Sequence, residues 1–226
     1  MEIEENPTES SAKPKPFALH GNERLFAFSD GVFAITITLL VLEIKIPEIP
    51  KELVATKLLS ELSHLFPFII SHLVSFLVLG IFWVAHHNMF AHVKRHNHIL
   101  LWLNILFLMC VASIPFPTGL LGTYPDQQIS VIIYSGVLGI TGLVLSLMWW
   151  YVATYRLVDD ETDPEFVRFV YRHVLKAPIF YFSAILASFL SLPLAKLILA
   201  CVTIFYIIPN TSVHKHYKKL DQRFNQ

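Results

Sequence analysis

Charge is scarce along this chain. Charged residues fill 15% of its 226 positions, and 17 Lys and Arg balance 17 Asp and Glu to a formal net charge of zero. A chain this poor in charge, and this evenly balanced, offers no basic footprint, so no nucleic-acid partner is expected. Cysteine is scarcer still. Cys110 and Cys201 each lie inside an apolar segment; two thiols so placed build neither a disulfide framework nor a zinc site, and packing is their expected role. No internal repeat is visible, which argues against a transporter built from two inverted halves. Residues 1–20 lack the apolar core of a signal peptide. With Pro7, Pro14, Pro16 and several acids they read as a disordered tail.

Apolar side chains are what the sequence has in excess: 54% of positions are hydrophobic and the mean hydropathy is +0.56. This is the composition of a polytopic membrane protein. The expected fold class is all-α, because a span in lipid must satisfy its own backbone. Six transmembrane helices are read, at about 24–44, 58–89, 99–121, 129–155, 164–192 and 193–208. The expected organisation is a disordered cytoplasmic tail (1–20), a six-helix unit (21–208) and a basic cytoplasmic tail (209–226). Pro67 lies within the second span as a kink position, and Pro115 and Pro117 near the end of the third. Gly136, Gly139 and Gly142 suggest close helix approach in the fourth. Trp149, Trp150, Tyr151 and Tyr155 read as an aromatic belt at its inner end. Asp163, in an acid-rich loop, suits the N-cap of the fifth helix. With both termini inside, four basic residues lie outside (Lys45, Lys51, Lys57, Lys196), leaving 17 − 4 = 13 inside. That bias sets a multi-pass orientation in the cell membrane with both termini cytoplasmic.

The chain is organised around Arg24–Ile44, RLFAFSDGVFAITITLLVLEI. Asp30 sits well inside this helix, where an acid is costly unless it faces protein or water. Ile35, Leu39 and Leu42 fall at i, i+4, i+7 and form one stripe, with Thr38 beside it. The stripe suits a helix–helix seam or lipid contact; it also suits a narrow pore shared between copies around an axis.

The second span ends in FWVAHHNMFAHVKRHNH. If the first helix runs outward and the second inward, Arg24, Ser29 and Asp30 share a depth with Trp83, His86 and His87, and Asn104 of the third span joins them. This cluster reads as a hydrogen-bonded lock between three helices. A proton relay is the alternative, since His titrates near neutrality; it would make the protein a proton-coupled secondary transporter using Asp30, His86 and His87. A metal site is the weakest reading. His92 and His96 stand at i, i+4 beside the His86–His87 pair, but the remaining close pair, His214 and His216, lies in the polar tail. No metal, cofactor or enzymatic role is therefore expected.

These residues carry a resemblance. Arg24-xxx-Phe28-Ser29-Asp30 followed by GVFAITITLLVLEI, with Trp83-xx-His86-His87, Asn104 and Pro115-Phe116-Pro117, resembles the prokaryotic branch of the endosomal and lysosomal potassium channel family. That resemblance implies a homotetramer in the lipid bilayer, with first helices lining a central pore and no TVGYG filter loop, which this chain indeed lacks. It further implies a pore constriction at Ile35, Leu39 and Leu42, with Thr38 as the pore-helix threonine governing selectivity. Arg24, Phe28, Ser29 and Asp30 would pack with Trp83, His86, His87 and Asn104 as a structural polar network. Potassium would be the permeant ion, together with other monovalent cations.

Overall fold

The computed structural model describes residues 21–158 and 162–208, with side-chain surroundings from Arg24 onward. The expected tails at 1–20 and 209–226 lie outside the described residues, as do Asp159, Asp160 and Glu161. The described chain is helical apart from its connections and one isolated bridge, Val93 to Val158.

The helices are α1 (Gly21–Leu42), α2 (Val54–His64), α3 (Phe66–Ala91), α4 (His98–Ser113), α5 (Pro115–Thr123), α6 (Gln128–Thr154), α7 (Pro164–Ser188) and α8 (Leu192–Ile207), with a single 3-10 turn at Lys51–Leu53 before α2. Two of the six expected spans are therefore each built from two helices. The second breaks at Leu65, and Pro67 falls in the first turn of α3, where its missing N–H costs nothing. The third breaks at Ile114, ahead of Pro115 in the first turn of α5. In both places proline starts a new helix rather than kinking an old one.

Among the described residues, four segments are long and apolar enough to cross a membrane: Arg24–Leu42, Phe66–Ala91, His98–Thr123 and Gln128–Thr154. α7 has the length, but its first half carries Arg168, Arg172 and Lys176; α8, at 16 residues, is shorter.

α6 is the post of the bundle. It buries Val131, Tyr134, Leu138, Leu145, Met148 and Trp149 against its neighbours, and packs most closely on α7. Glycine makes that approach possible. A Cβ on Gly139 would stand 2.9 Å from Phe182 Cζ, and one on Gly142 3.0 Å from Pro178 Cδ. Gly136, in contrast, has open space around it. The aromatic belt divides in two. Trp150 and Tyr155 are exposed. Trp149 and Tyr151 are buried because their polar ends find partners: Trp149 Nε1 donates to the Val167 carbonyl at 3.0 Å, and Tyr151 accepts from Asn97 Nδ2 at 2.8 Å. Asn97 also caps α4 through Oδ1, which accepts from Leu100 N at 3.0 Å, and Asp163 caps α7 by accepting from Glu165 N at 2.8 Å.

Candidate pore helix and its polar anchor

α1 has two unlike faces. Ser29, Phe33, Thr36 and Leu40 are buried, and their spacing of i, i+4, i+7, i+11 makes one stripe pointing into the bundle. α1 packs there on α3, α4 and α5. Thr36 is tolerated in this stripe because its hydroxyl donates back to the Val32 carbonyl at 2.8 Å.

The anchor lies at the N-terminal half of that stripe. Asn104 on α4 is fully buried; its Nδ2 donates to Ser29 Oγ at 3.1 Å, and its Oδ1 accepts from His86 Nε2 at 2.8 Å. One amide thus ties α1 to α3 and uses both of its ends. The His86 ring is held flat by aromatic neighbours. Phe107 stacks on it with centroids 5.4 Å apart and a 4° interplanar angle, and Phe33 and Phe90 pack at 5.9 and 4.6 Å. These phenylalanines were not expected from the motif. The signal was available: Phe33 falls one turn after Ser29, and Phe107 three residues after Asn104.

A second tie sits at the exposed edge. Trp83 Nε1 donates to Asp30 Oδ1 at 2.8 Å. His87 packs on Trp83 and on Phe26, at 5.5 and 5.9 Å. The structure therefore joins Ser29, His86 and Asn104 in one chain and Asp30 with Trp83 in another. No hydrogen bond links Asp30 to His86 or His87 among the described residues. Arg24 and Phe28 are exposed and lie outside both chains. His92 is held by its Nδ1, which donates to the Asn88 carbonyl at 2.7 Å, and by its ring against Phe166. Among the described residues no group of three or more His, Cys, Asp or Glu side chains is placed to hold a metal.

A further polar knot lies elsewhere on α3. Ser75 Oγ and Tyr134 OH are 2.9 Å apart, and Thr118 Oγ1 donates to Ser75 Oγ at 2.8 Å. It ties α3, α5 and α6 together as Asn104 ties α1, α3 and α4. Isolated hydroxyls in apolar runs are its only sequence trace.

The other face of α1 is left uncovered by the described residues. Ile35, Leu39 and Leu42 are 61%, 43% and 73% exposed. Thr38 is exposed too, and follows Ser29 by nine residues, which places it about 180° around the helix. Its hydroxyl hydrogen is directed into the helix, toward the carbonyls of Ile35 at 2.8 Å and Ala34 at 3.0 Å. With its hydrogen so engaged, the exposed hydroxyl oxygen keeps acceptor capacity.

The described helices and their apolar spans define an all-α protein of the multi-pass membrane class. Residues 24–115 match the family described as the endosomal/lysosomal potassium channel TMEM175. A relative from Chamaesiphon minutus, named potassium channel Cha6605_3372, is 36% identical over 82% of this chain and 93% of its own length. Another from Streptomyces collinus, potassium channel B446_29190, is 35% identical over 81% of this chain and 90% of its own. The crystal structure of a lysosomal potassium-selective channel TMEM175 homolog from Chamaesiphon minutus superposes with a TM-score of 0.74 at 34% identity, covering 83% of this chain and 96% of that one. The chain belongs to the TMEM175 family.

Proposed function

We propose that this protein is a potassium-permeable cation channel of the cell membrane, formed by four copies whose α1 helices surround the pore, with both termini cytoplasmic. The observation that carries the reading is the two-faced α1. One face is bonded into the bundle at Ser29 and Asp30; the other presents Ile35, Thr38, Leu39 and Leu42 with no cover from the described residues. The names of the relatives, potassium channels, support the choice of ion.

Around an axis, Ile35, Leu39 and Leu42 from four copies make rings of branched apolar side chains. Such rings close a pore by excluding water, and opening requires them to turn or move outward. The anchor sets the rotation of the helix that carries them. Because Thr38 already donates its hydrogen to its own helix, its oxygen is an acceptor toward the axis, suited to replacing part of a cation's hydration shell. Hydroxyl rings favour the more weakly hydrated potassium over sodium by dehydration cost, and their selectivity is modest beside a filter of stacked carbonyls.

Reconstitution into liposomes under a potassium gradient, followed by single-channel recording, tests the reading. Discrete potassium currents support it. Absence of unitary currents, with saturable flux that follows a pH gradient, would instead favour a proton-coupled transporter working through Asp30, His86 and His87.

A further inference from the structure

α2 buries none of its side chains among the described residues. Its sequence, VATKLLSELSH, is nevertheless two-sided. Val54, Leu58 and Leu62 stand at i, i+4, i+8 with Ala55 and Leu59 beside them, so apolar side chains fill an arc of about 140°. Thr56, Lys57, Ser60, Glu61, Ser63 and His64 fill the rest of the circle. Val54, Leu58, Leu59 and Leu62 are all exposed, Leu59 to 82%. Gathered on one side of a short helix, they form a patch rather than a scatter of surface residues.

The position of α2 follows from its neighbours. α1 ends at Leu42 and α3 begins at Phe66, and both are segments able to cross a membrane. α3 has 26 residues, about 39 Å at the helical rise, against a hydrocarbon core ~30 Å thick. It crosses without help from α2, which leaves α2 at the membrane boundary. Leu65, the one residue between the two helices, keeps right-handed helical dihedrals, φ −77° and ψ −11°. The four-residue spacing therefore carries on from Val54, Leu58 and Leu62 to Phe66 and Ile70, which are exposed as well. The patch on α2 continues the uncovered apolar surface of a membrane-crossing helix. Its charges cancel, since α2 carries one lysine, Lys57, and one acid, Glu61.

We propose that α2 lies along the surface of the lipid bilayer, with Val54, Leu58, Leu59 and Leu62 sunk into the boundary between headgroups and acyl chains and its polar face in water. The partner is lipid because the patch runs on from the apolar surface of α3 and sits where that helix leaves the hydrocarbon core. Four aliphatic side chains also fall well short of the roughly 20 residues a side that a stable protein interface uses. With its charges cancelled, α2 needs no anionic headgroup. Residues 43–53 join it to the end of α1 at Leu42, so a surface-bound α2 tethers that end to the bilayer. The insertion does not depend on conduction; only its assignment to the outer leaflet rests on the orientation proposed above.

The test is fluorescence quenching of the full chain in phosphatidylcholine vesicles. With Cys110 and Cys201 replaced by serine, Leu58→Cys and Ser60→Cys each carry a nitrobenzoxadiazole probe. Both positions are exposed, so neither label disturbs the packed bundle. The probe at position 58 is quenched by spin-labelled phosphatidylcholine, at a depth of about 5–10 Å, and resists aqueous iodide. The probe at position 60 responds to iodide. Adding Leu59→Glu and Leu62→Glu moves the probe at position 58 into water, reversing its response to the two quenchers. Iodide quenching of position 58 in the parent protein overturns the proposal, because α2 then stands clear of the bilayer. Protection of position 58 from both quenchers also overturns it, because a neighbouring copy then covers the patch. A probe at position 58 that ignores the two glutamates contradicts it as well. The readout involves no ion flux, so failure to conduct would count against the channel reading alone.

Discussion

α6 and α1 are both apolar enough to span a membrane, and they do opposite things with their surfaces. In the most apolar 18-residue stretch of each, 61% of α6 is buried inside its own chain and 22% of α1. α6 is finished within one chain: glycines admit α7, and Trp149 and Tyr151 satisfy their polar ends internally. α1 is bonded along one stripe and left open along the other. Exposure alone does not distinguish it, since α3 is also 22% buried. What distinguishes α1 is that its buried stripe ends in a polar tie at Ser29, with a second at its exposed edge through Asp30, while its open stripe carries a threonine among branched apolar side chains. A helix held at a fixed rotation, with a patterned free face, is a surface prepared for something other than its own fold.

The largest functional effect that would break this contrast is on conduction. Leu39→Ala removes four branched side chains from the proposed constriction and is expected to raise basal potassium conductance about tenfold, equivalent to about 1.4 kcal/mol; unchanged currents would detach the open stripe from gating. Next is the anchor. Asn104→Ala leaves buried His86 and Ser29 without their shared partner, at about 1–3 kcal/mol of stability, read as a lower unfolding midpoint in detergent. On α6, Gly142→Leu forces a side chain against the Pro178 ring and is expected to cost about 1–3 kcal/mol, with no direct effect on ion preference. A changed permeability ratio in that variant would blur the division between the two helices. Thr38→Ala should lower the potassium-to-sodium permeability ratio a few-fold, about 1 kcal/mol at most, measured by reversal potential; no shift removes Thr38 from selectivity. The smallest effect is Trp83→Phe, which deletes one hydrogen bond to Asp30 at roughly 0.6 kcal/mol. It is expected to alter open probability more than thermal stability.

Much of this was legible in the sequence, and the misses have physical causes. The first helix could be placed from its apolar run, and the motif Arg24-xxx-Phe28-Ser29-Asp30 carried a resemblance specific enough to name a family. Asn104, Ser29 and His86 stood out because polar groups in an apolar run require partners. Helix breaks were harder. Pro67 and Pro115 are compatible with a kink or with a first turn, and only the tertiary path decides between them. Trp149 and Tyr151 looked like interface residues because a sequence cannot show that Val167 and Asn97 offer them partners indoors. The triad of Ser75, Thr118 and Tyr134 was invisible because its members come from three helices and no local spacing relates them.

The central claim is that the open stripe of α1 lines a pore between copies and meets water when that pore opens. It is tested most directly by potassium recording from Leu39→Cys and Leu147→Cys proteins, with Cys110 and Cys201 replaced by serine, before and after a membrane-impermeant thiol reagent. Leu147 lies on α6 and is likewise exposed. The account predicts that modification changes the current carried by Leu39→Cys and leaves Leu147→Cys unaffected. A Leu39→Cys current indifferent to the reagent, with the thiol reacting only with lipid-soluble probes, would contradict it.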